Sequence, residues 1–202
     1  MTRTIALAAL AVVAATLAGT LWLTMTPNDD VPYAQCRSST VAGDIGGPFE
    51  LVNGDGETVT DADVITEPTL IYFGYTFCPD VCPLDVDRNA HATEILEERG
   101  KTLQPVFISI DPKRDTPEVV REFAGYMHPR MVGLTGSDEQ VRRASQAYRT
   151  YYQAQPADAD GEYLVDHTTL SYLVMPDAGF VEFFRRDLSP EQLADKVGCF
   201  LS

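Results

Sequence analysis

The apolar run Thr69-Leu70-Ile71-Tyr72-Phe73-Gly74-Tyr75 leads straight into Thr76-Phe77-Cys78-Pro79-Asp80-Val81-Cys82-Pro83. A buried strand therefore turns into a helix at the point where two thiols stand at i and i+4. A helix N-terminus offers unsatisfied N–H groups and the positive end of the helix dipole, both of which stabilise thiolates. Thiolates are the form that attacks disulfides and the form that binds soft metals, so both chemistries stay open.

The spacing bears on the choice. Two intervening residues make the usual thioredoxin-type redox pair, whereas three put both sulfurs on one helical face, where a single ion can be gripped. Proline is tolerated only in the first turn, so Pro79 and Pro83 set the helix start near Val81 to Pro83 and leave Cys78 on the preceding loop. A purely structural Cys78–Cys82 disulfide is the bland reading, and so short a loop would constrain the unfolded chain little.

Ile5 to Met25 carries no charged side chain. About 20 such residues at 1.5 Å each cross the roughly 30 Å hydrocarbon core of a bilayer, and Trp22 suits the interfacial belt. Residues 1–27 are thus expected to be a retained anchor, with Arg3 holding the N-terminus in the cytoplasm; the rival is a signal peptide cleaved after Thr16-Leu17-Ala18. The start is neither Arg-rich nor Ser-rich, as a mitochondrial transit peptide would be, which favours a bacterial inner membrane with the rest of the chain in the periplasm. In that oxidising compartment Cys36 and Cys199 can close a disulfide, one of three pairings open to four cysteines.

The formal charge is −15, and Arg3 is the sole charged residue before Asn28, so the exported part carries −16. Nucleic acid and anionic lipid surfaces are poor partners for such a chain. Residues 28–47 read as a polar tether, and 48–202 as one domain.

Within that domain Asn53-Gly54-Asp55-Gly56 separates two short strands, a β-hairpin signal. After the strand ending near Phe77 come a helix from about Pro83 to Arg99 closed by Gly100, a strand over Pro105 to Ile110, and a helix from Asp115 or Thr116 to Met127. A strand over Met131 to Leu134, a helix from Ser137 to about Gln153 and an acidic loop from Gln155 to Glu162 follow. Thr168 to Met175 and Gly179 to Arg185 form an antiparallel hairpin, and Ser189 caps a last helix. A βαβ unit, a further βα unit and a closing hairpin with its helix is the thioredoxin-like order, an α/β fold, here with an added N-terminal β-hairpin.

His167 stands just before the strand from Thr168, where thioredoxin-like enzymes usually place a cis-proline against their cysteines. An imidazole over two thiols makes sense if three donors converge on copper or zinc, while a lone buried histidine satisfied by backbone groups is the bland alternative.

With these residues in view, Tyr75-Thr76-Phe77-Cys78-Pro79-Asp80-Val81-Cys82-Pro83, Ser109-Ile110-Asp111-Pro112-Lys113-Arg114-Asp115-Thr116-Pro117 and Val165-Asp166-His167-Thr168 resemble, in order and spacing, the signatures of the Sco/SenC family of cytochrome c oxidase assembly factors. The resemblance implies a membrane-anchored copper metallochaperone with Cys78, Cys82 and His167 as metal ligands. It also implies cytochrome c oxidase subunit II as acceptor of the binuclear copper centre, with another periplasmic copper carrier as a further partner. The rival is a thiol:disulfide reductase in which Cys78 attacks and Cys82 resolves, keeping the acceptor cysteines reduced; a peroxidase is a more distant third.

Asp80 and Asp166 adjoin the proposed ligands and are read as carboxylates that orient the imidazole or tune its charge, against a solvated-turn alternative. Arg114 and Asp115 are read as a helix cap with a partner charge. Met127, His128 and Met131 are read as core, His91 as solvent-facing, and Tyr148, Tyr151 and Tyr152 as one helical packing face.

Overall fold

The computed structural model describes residues 12–21, 33–37 and 44–201. The chain separates into two compact units, Met1–Ala34 and Gln35–Ser202. In the first, residues 12–21 form a helix, α1. Among the described residues no helix is long and apolar enough to cross a membrane; most of the ends of the expected span, Ile5 to Met25, lie outside them.

The second unit is built on a seven-stranded sheet. A hairpin, β1 (Glu50–Asn53) and β2 (Thr58–Thr60), and the short α2 (Asp61–Val64) precede β3 (Thr69–Gly74), α3 (Val81–Glu98), β4 (Gln104–Ser109), α4 (Pro117–Met127), β5 (Val132–Thr135) and α5 (Asp138–Ala147). Then come β6 (Tyr152–Ala154), β7 (Val165–His167), β8 (Ser171–Met175), β9 (Gly179–Phe184) and α6 (Pro190–Phe200). The sheet order is β2-β1-β5-β4-β3-β8-β9, with β3, β4 and β5 mutually parallel and the outer strands antiparallel. This is the mixed α/β, thioredoxin-like architecture expected from the element order.

Every residue of β3 is buried, as a central strand covered on both faces requires. Its C-terminal end opens into the cysteine segment. Pro83 sits in the first turn of α3, and Gly100, at φ +70°, ends that helix in the left-handed conformation. Thr116 caps α4 and Ser137 caps α5, each accepting from a first-turn N–H, and Gly133 lets α4 lie against β5 where a Cβ would meet the Val120 carbonyl at 2.3 Å. Cys36 and Cys199 form a disulfide, with Cα atoms 5.7 Å apart, that ties the start of the unit to α6.

Two expectations need correction. The helix from Ser137 stops at Ala147 and does not reach Gln153. Arg149 adopts φ +51° and donates to the Gln146 carbonyl while Thr150 donates to Ser145, a Schellman closure made without the glycine that normally announces one. Tyr148 is consequently buried in the core, Tyr151 is exposed and Tyr152 lies on β6, so the three share no helical face. His167, likewise, does not open the strand of the main sheet. It ends β7, which pairs with β6 in a separate two-stranded sheet, and β8 begins only at Ser171.

Candidate metal centre

Cys78 lies in the turn after β3, where its N–H donates to the Tyr75 carbonyl, and Cys82 is the second residue of α3. The N–H of Cys82 donates to Cys78 Sγ at 3.4 Å. Burial opposes ionisation of Cys78, yet the N–H groups of Cys82 and Asp80 outweigh it and hold this thiol below the ordinary range. Burial dominates at Cys82, which is fully enclosed, and drives its thiol well above that range. One thiol is thus poised to ionise, and the other is kept in reserve. Gly74 leaves the space for the second sulfur, since a Cβ there would stand 3.1 Å from Cys82 Sγ and 2.9 Å from the Tyr72 ring.

His167 Nδ1 lies 3.0 Å from the Thr168 carbonyl. A carbonyl only accepts, so Nδ1 carries the proton and Nε2, 3.2 Å from Cys82 Sγ, presents its lone pair to the thiols. Burial lowers the imidazole pKa and keeps the ring neutral near pH 7. The rings of Tyr72 and Tyr75 flank it nearly at right angles to its plane, with ring centres 6.2 and 6.0 Å away.

The two sulfurs and one imidazole nitrogen lie within 4.8 Å of one another, and no other group of three such donors gathers among the described residues. Two soft thiolates with one borderline nitrogen suit copper; a structural zinc site would ask for a fourth protein ligand.

The neighbouring carboxylates do less than expected. Asp166 accepts from Gln155 Nε2 at 3.0 and 3.1 Å and influences His167 through its charge alone, while the Asp80 side chain makes no capping bond. The group that orients the imidazole is the Thr168 main-chain carbonyl, which side-chain reasoning does not find. His128 is buried with Nδ1 accepting from the Arg130 N–H, Met131 is in the core with Met127 packed against it, and His91 is exposed beside Asp87.

Arg114 and Asp115 depart furthest from expectation. Thr116 is the cap. The Asp115 carboxylate is buried and accepts from Thr76 N–H (3.0 Å), Thr76 Oγ1 (2.5 Å) and Ser109 Oγ (2.5 Å), fastening the cysteine loop to the end of β4. Because β3 and β4 are parallel neighbours, the loops that follow them emerge at one sheet edge, which is the signal that would have placed Asp115 beside Thr76.

Comparison with known proteins settles the family, because a model of SCO1/SenC matches residues 37–202. The chain belongs to the SCO1/SenC family. It is 50% identical over 201 residues to protein SenC of Rhodobacter capsulatus, covering 98% of this chain and 90% of that protein. Among solved SCO1/SenC structures it is similar to Arabidopsis thaliana ScoI with copper bound, at 42% identity and a TM-score of 0.72, covering 76% of this chain and 95% of that one. Bradyrhizobium japonicum ScoI with copper bound is 37% identical with a TM-score of 0.70, covering 78% and 99%.

Proposed function

We propose that the protein is a copper metallochaperone that holds one copper ion through Cys78, Cys82 and His167 and assists assembly of the binuclear copper centre of cytochrome c oxidase subunit II. The observation that carries this reading is the convergence of a two-sulfur, one-nitrogen donor set in a family with copper-bound relatives. Two thiolates and a neutral imidazole sum to −2, so Cu(II) gives a neutral site and Cu(I) a singly negative one. Three protein donors leave a position at which an acceptor thiolate enters as a Cys78 or Cys82 sulfur departs and takes up a proton, so the cargo moves by stepwise exchange. Cys78, the slightly more exposed of the pair, is the natural first leaving donor.

A second reading draws on the asymmetry of the thiols. A low-pKa Cys78 backed by a buried Cys82 also suits thiol:disulfide exchange, in which Cys78 attacks an acceptor disulfide, Cys82 resolves the mixed disulfide, and two electrons pass to the acceptor. A metal site requires the imidazole; simple exchange does not.

The apolar segment Ile5 to Met25 supports a single-pass anchor in a bacterial inner membrane, with the domain from about residue 48 in the periplasm on a tether of residues 28–47. An anchor keeps the carrier near a membrane-bound acceptor at raised effective concentration. The Cys36–Cys199 disulfide suits that oxidising compartment. In a strain lacking the gene, Cys78→Ser and His167→Ala should both fail to restore oxidase assembly. Full restoration by His167→Ala alone selects the reductase.

A further inference from the structure

The imidazole and the thiols are carried by different parts of the fold. Cys78 lies in the turn between β3 of the seven-stranded sheet and α3, and Cys82 on α3, whereas His167 ends a strand of the separate β6–β7 pair. Their spacing therefore depends on the side chains that bridge the two. Arg114 spans that gap. Its guanidinium carbon lies 3.8 Å from the ring centre of Tyr163, on the segment leading into β7, and 4.9 and 5.7 Å from Phe77 and Tyr75, which precede Cys78. Nη2 donates to the Tyr163 carbonyl at 2.9 Å and Nε to Asp111 Oδ2 at 2.5 Å, while the other oxygen of Asp111 accepts from the Tyr163 hydroxyl at 2.7 Å. Alongside, the Val165 N–H donates to the Tyr75 hydroxyl at 3.2 Å. The Arg114 side chain is only 16% exposed, so these contacts are formed largely out of water.

We propose that Arg114 is a positioning residue that fixes the reach of the His167 imidazole toward the two thiols and thereby sets the protein's preference between the oxidation states of copper. The inference rests on the copper-carrier reading above. Cys78 and Cys82 lie on one short segment and remain a two-thiolate pair wherever the arm goes, which suffices for soft Cu(I). Cu(II), a harder ion, needs the imidazole nitrogen as well. A planar guanidinium can stack on the Tyr163 ring and remain within cation–π reach of Phe77 and Tyr75 while holding a carboxylate and a carbonyl. Lysine, a point charge on a flexible stem, cannot.

The test uses the purified, reduced protein with Arg114→Lys, Tyr163→Leu, His167→Ala and, as a control, Lys113→Gln. In the metal-free state Arg114→Lys should speed hydrogen exchange at the Val165 amide about tenfold or more, since an arm that loses its clamp opens more often. With copper it should weaken Cu(II) roughly 10-fold, in line with groups that orient metal ligands, and move the thiolate-to-copper band toward that of His167→Ala. Cu(I) affinity should stay within about threefold, so each tenfold lost from Cu(II) alone raises the midpoint potential by about 59 mV. Tyr163→Leu should act in the same direction and Lys113→Gln should resemble wild type. Unchanged exchange and Cu(II) affinity in Arg114→Lys, or equal weakening of both oxidation states, would overturn the proposal. Identical Cu(II) binding by wild type and His167→Ala would instead remove the imidazole from the ligand set, sinking the underlying reading and this proposal with it.

Discussion

Asp115→Ala removes the carboxylate that fastens the cysteine loop to β4, and the structure allows its cost to be worked out. Three donors lose their acceptor: Thr76 N–H, the Thr76 hydroxyl and the Ser109 hydroxyl. Hydrogen bonds to a charged group are worth about 1.5–3 kcal/mol each, but the hydroxyls can turn elsewhere, and Ser109 Oγ keeps the Asp111 N–H as a partner. Burial also raises the Asp115 pKa despite the bonds from Ser109 and Thr76, so relief from desolvation offsets part of the loss. A net destabilisation of about 2–4 kcal/mol follows, a large share of a typical 5–15 kcal/mol total. For a chain of this size that is roughly 5–15 °C in Tm. The pH dependence has a definite sign. A carboxyl with its folded-state pKa above the unfolded value of 3.8 binds its proton more tightly when folded, so its contribution is largest below 3.8 and falls as pH rises through the raised value. The Asp115→Ala penalty should therefore shrink as the pH rises through that window. Thr76 lies two residues before Cys78, so copper affinity should fall as well. Urea denaturation of the reduced, metal-free protein followed by circular dichroism reads the first effect, and titration against a copper chelator reads the second. A loss below about 1 kcal/mol with unchanged copper affinity would refute the reasoning that Asp115 holds the loop.

Two further outcomes follow from the cysteines. Limiting iodoacetamide should alkylate Cys78 well ahead of Cys82, because the first thiol ionises below the ordinary range and the second far above it; peptide mapping that finds equal labelling would contradict the asymmetry. Replacing Cys36 and Cys199 together by serine should cost about 2–5 kcal/mol, since their link spans 163 residues, while leaving copper stoichiometry unchanged. Denaturation curves with and without the link test this directly.

Much of the site is legible in the chain because its determinants are local. An apolar run entering a proline-flanked cysteine pair specifies a strand, a turn and a helix start within a few residues, and Val81 does open α3. What escaped the sequence is set by tertiary contact. Arg149 closes α5 in a left-handed conformation that nothing local announces, which frees Tyr152 to pair with His167 across β6 and β7. The resulting arm, not the main sheet, carries the imidazole. Asp115 looks like a helix cap by its position next to Thr116, and only the parallel neighbourhood of β3 and β4 turns it toward the cysteine loop. Asp80 and Asp166 adjoin the donors in sequence, yet the Asp166 carboxylate is taken up by Gln155 and the Asp80 side chain makes no capping bond.

X-ray absorption at the copper edge, on the Cu(II)-loaded protein and its His167→Ala variant, reads directly whether copper is held by two sulfurs and one imidazole. The wild type should show two sulfur scatterers and one nitrogen with the outer-shell pattern of imidazole, and the variant should lose that pattern while keeping the sulfurs. A shell of nitrogen and oxygen alone, or an imidazole pattern that survives His167→Ala, would contradict it.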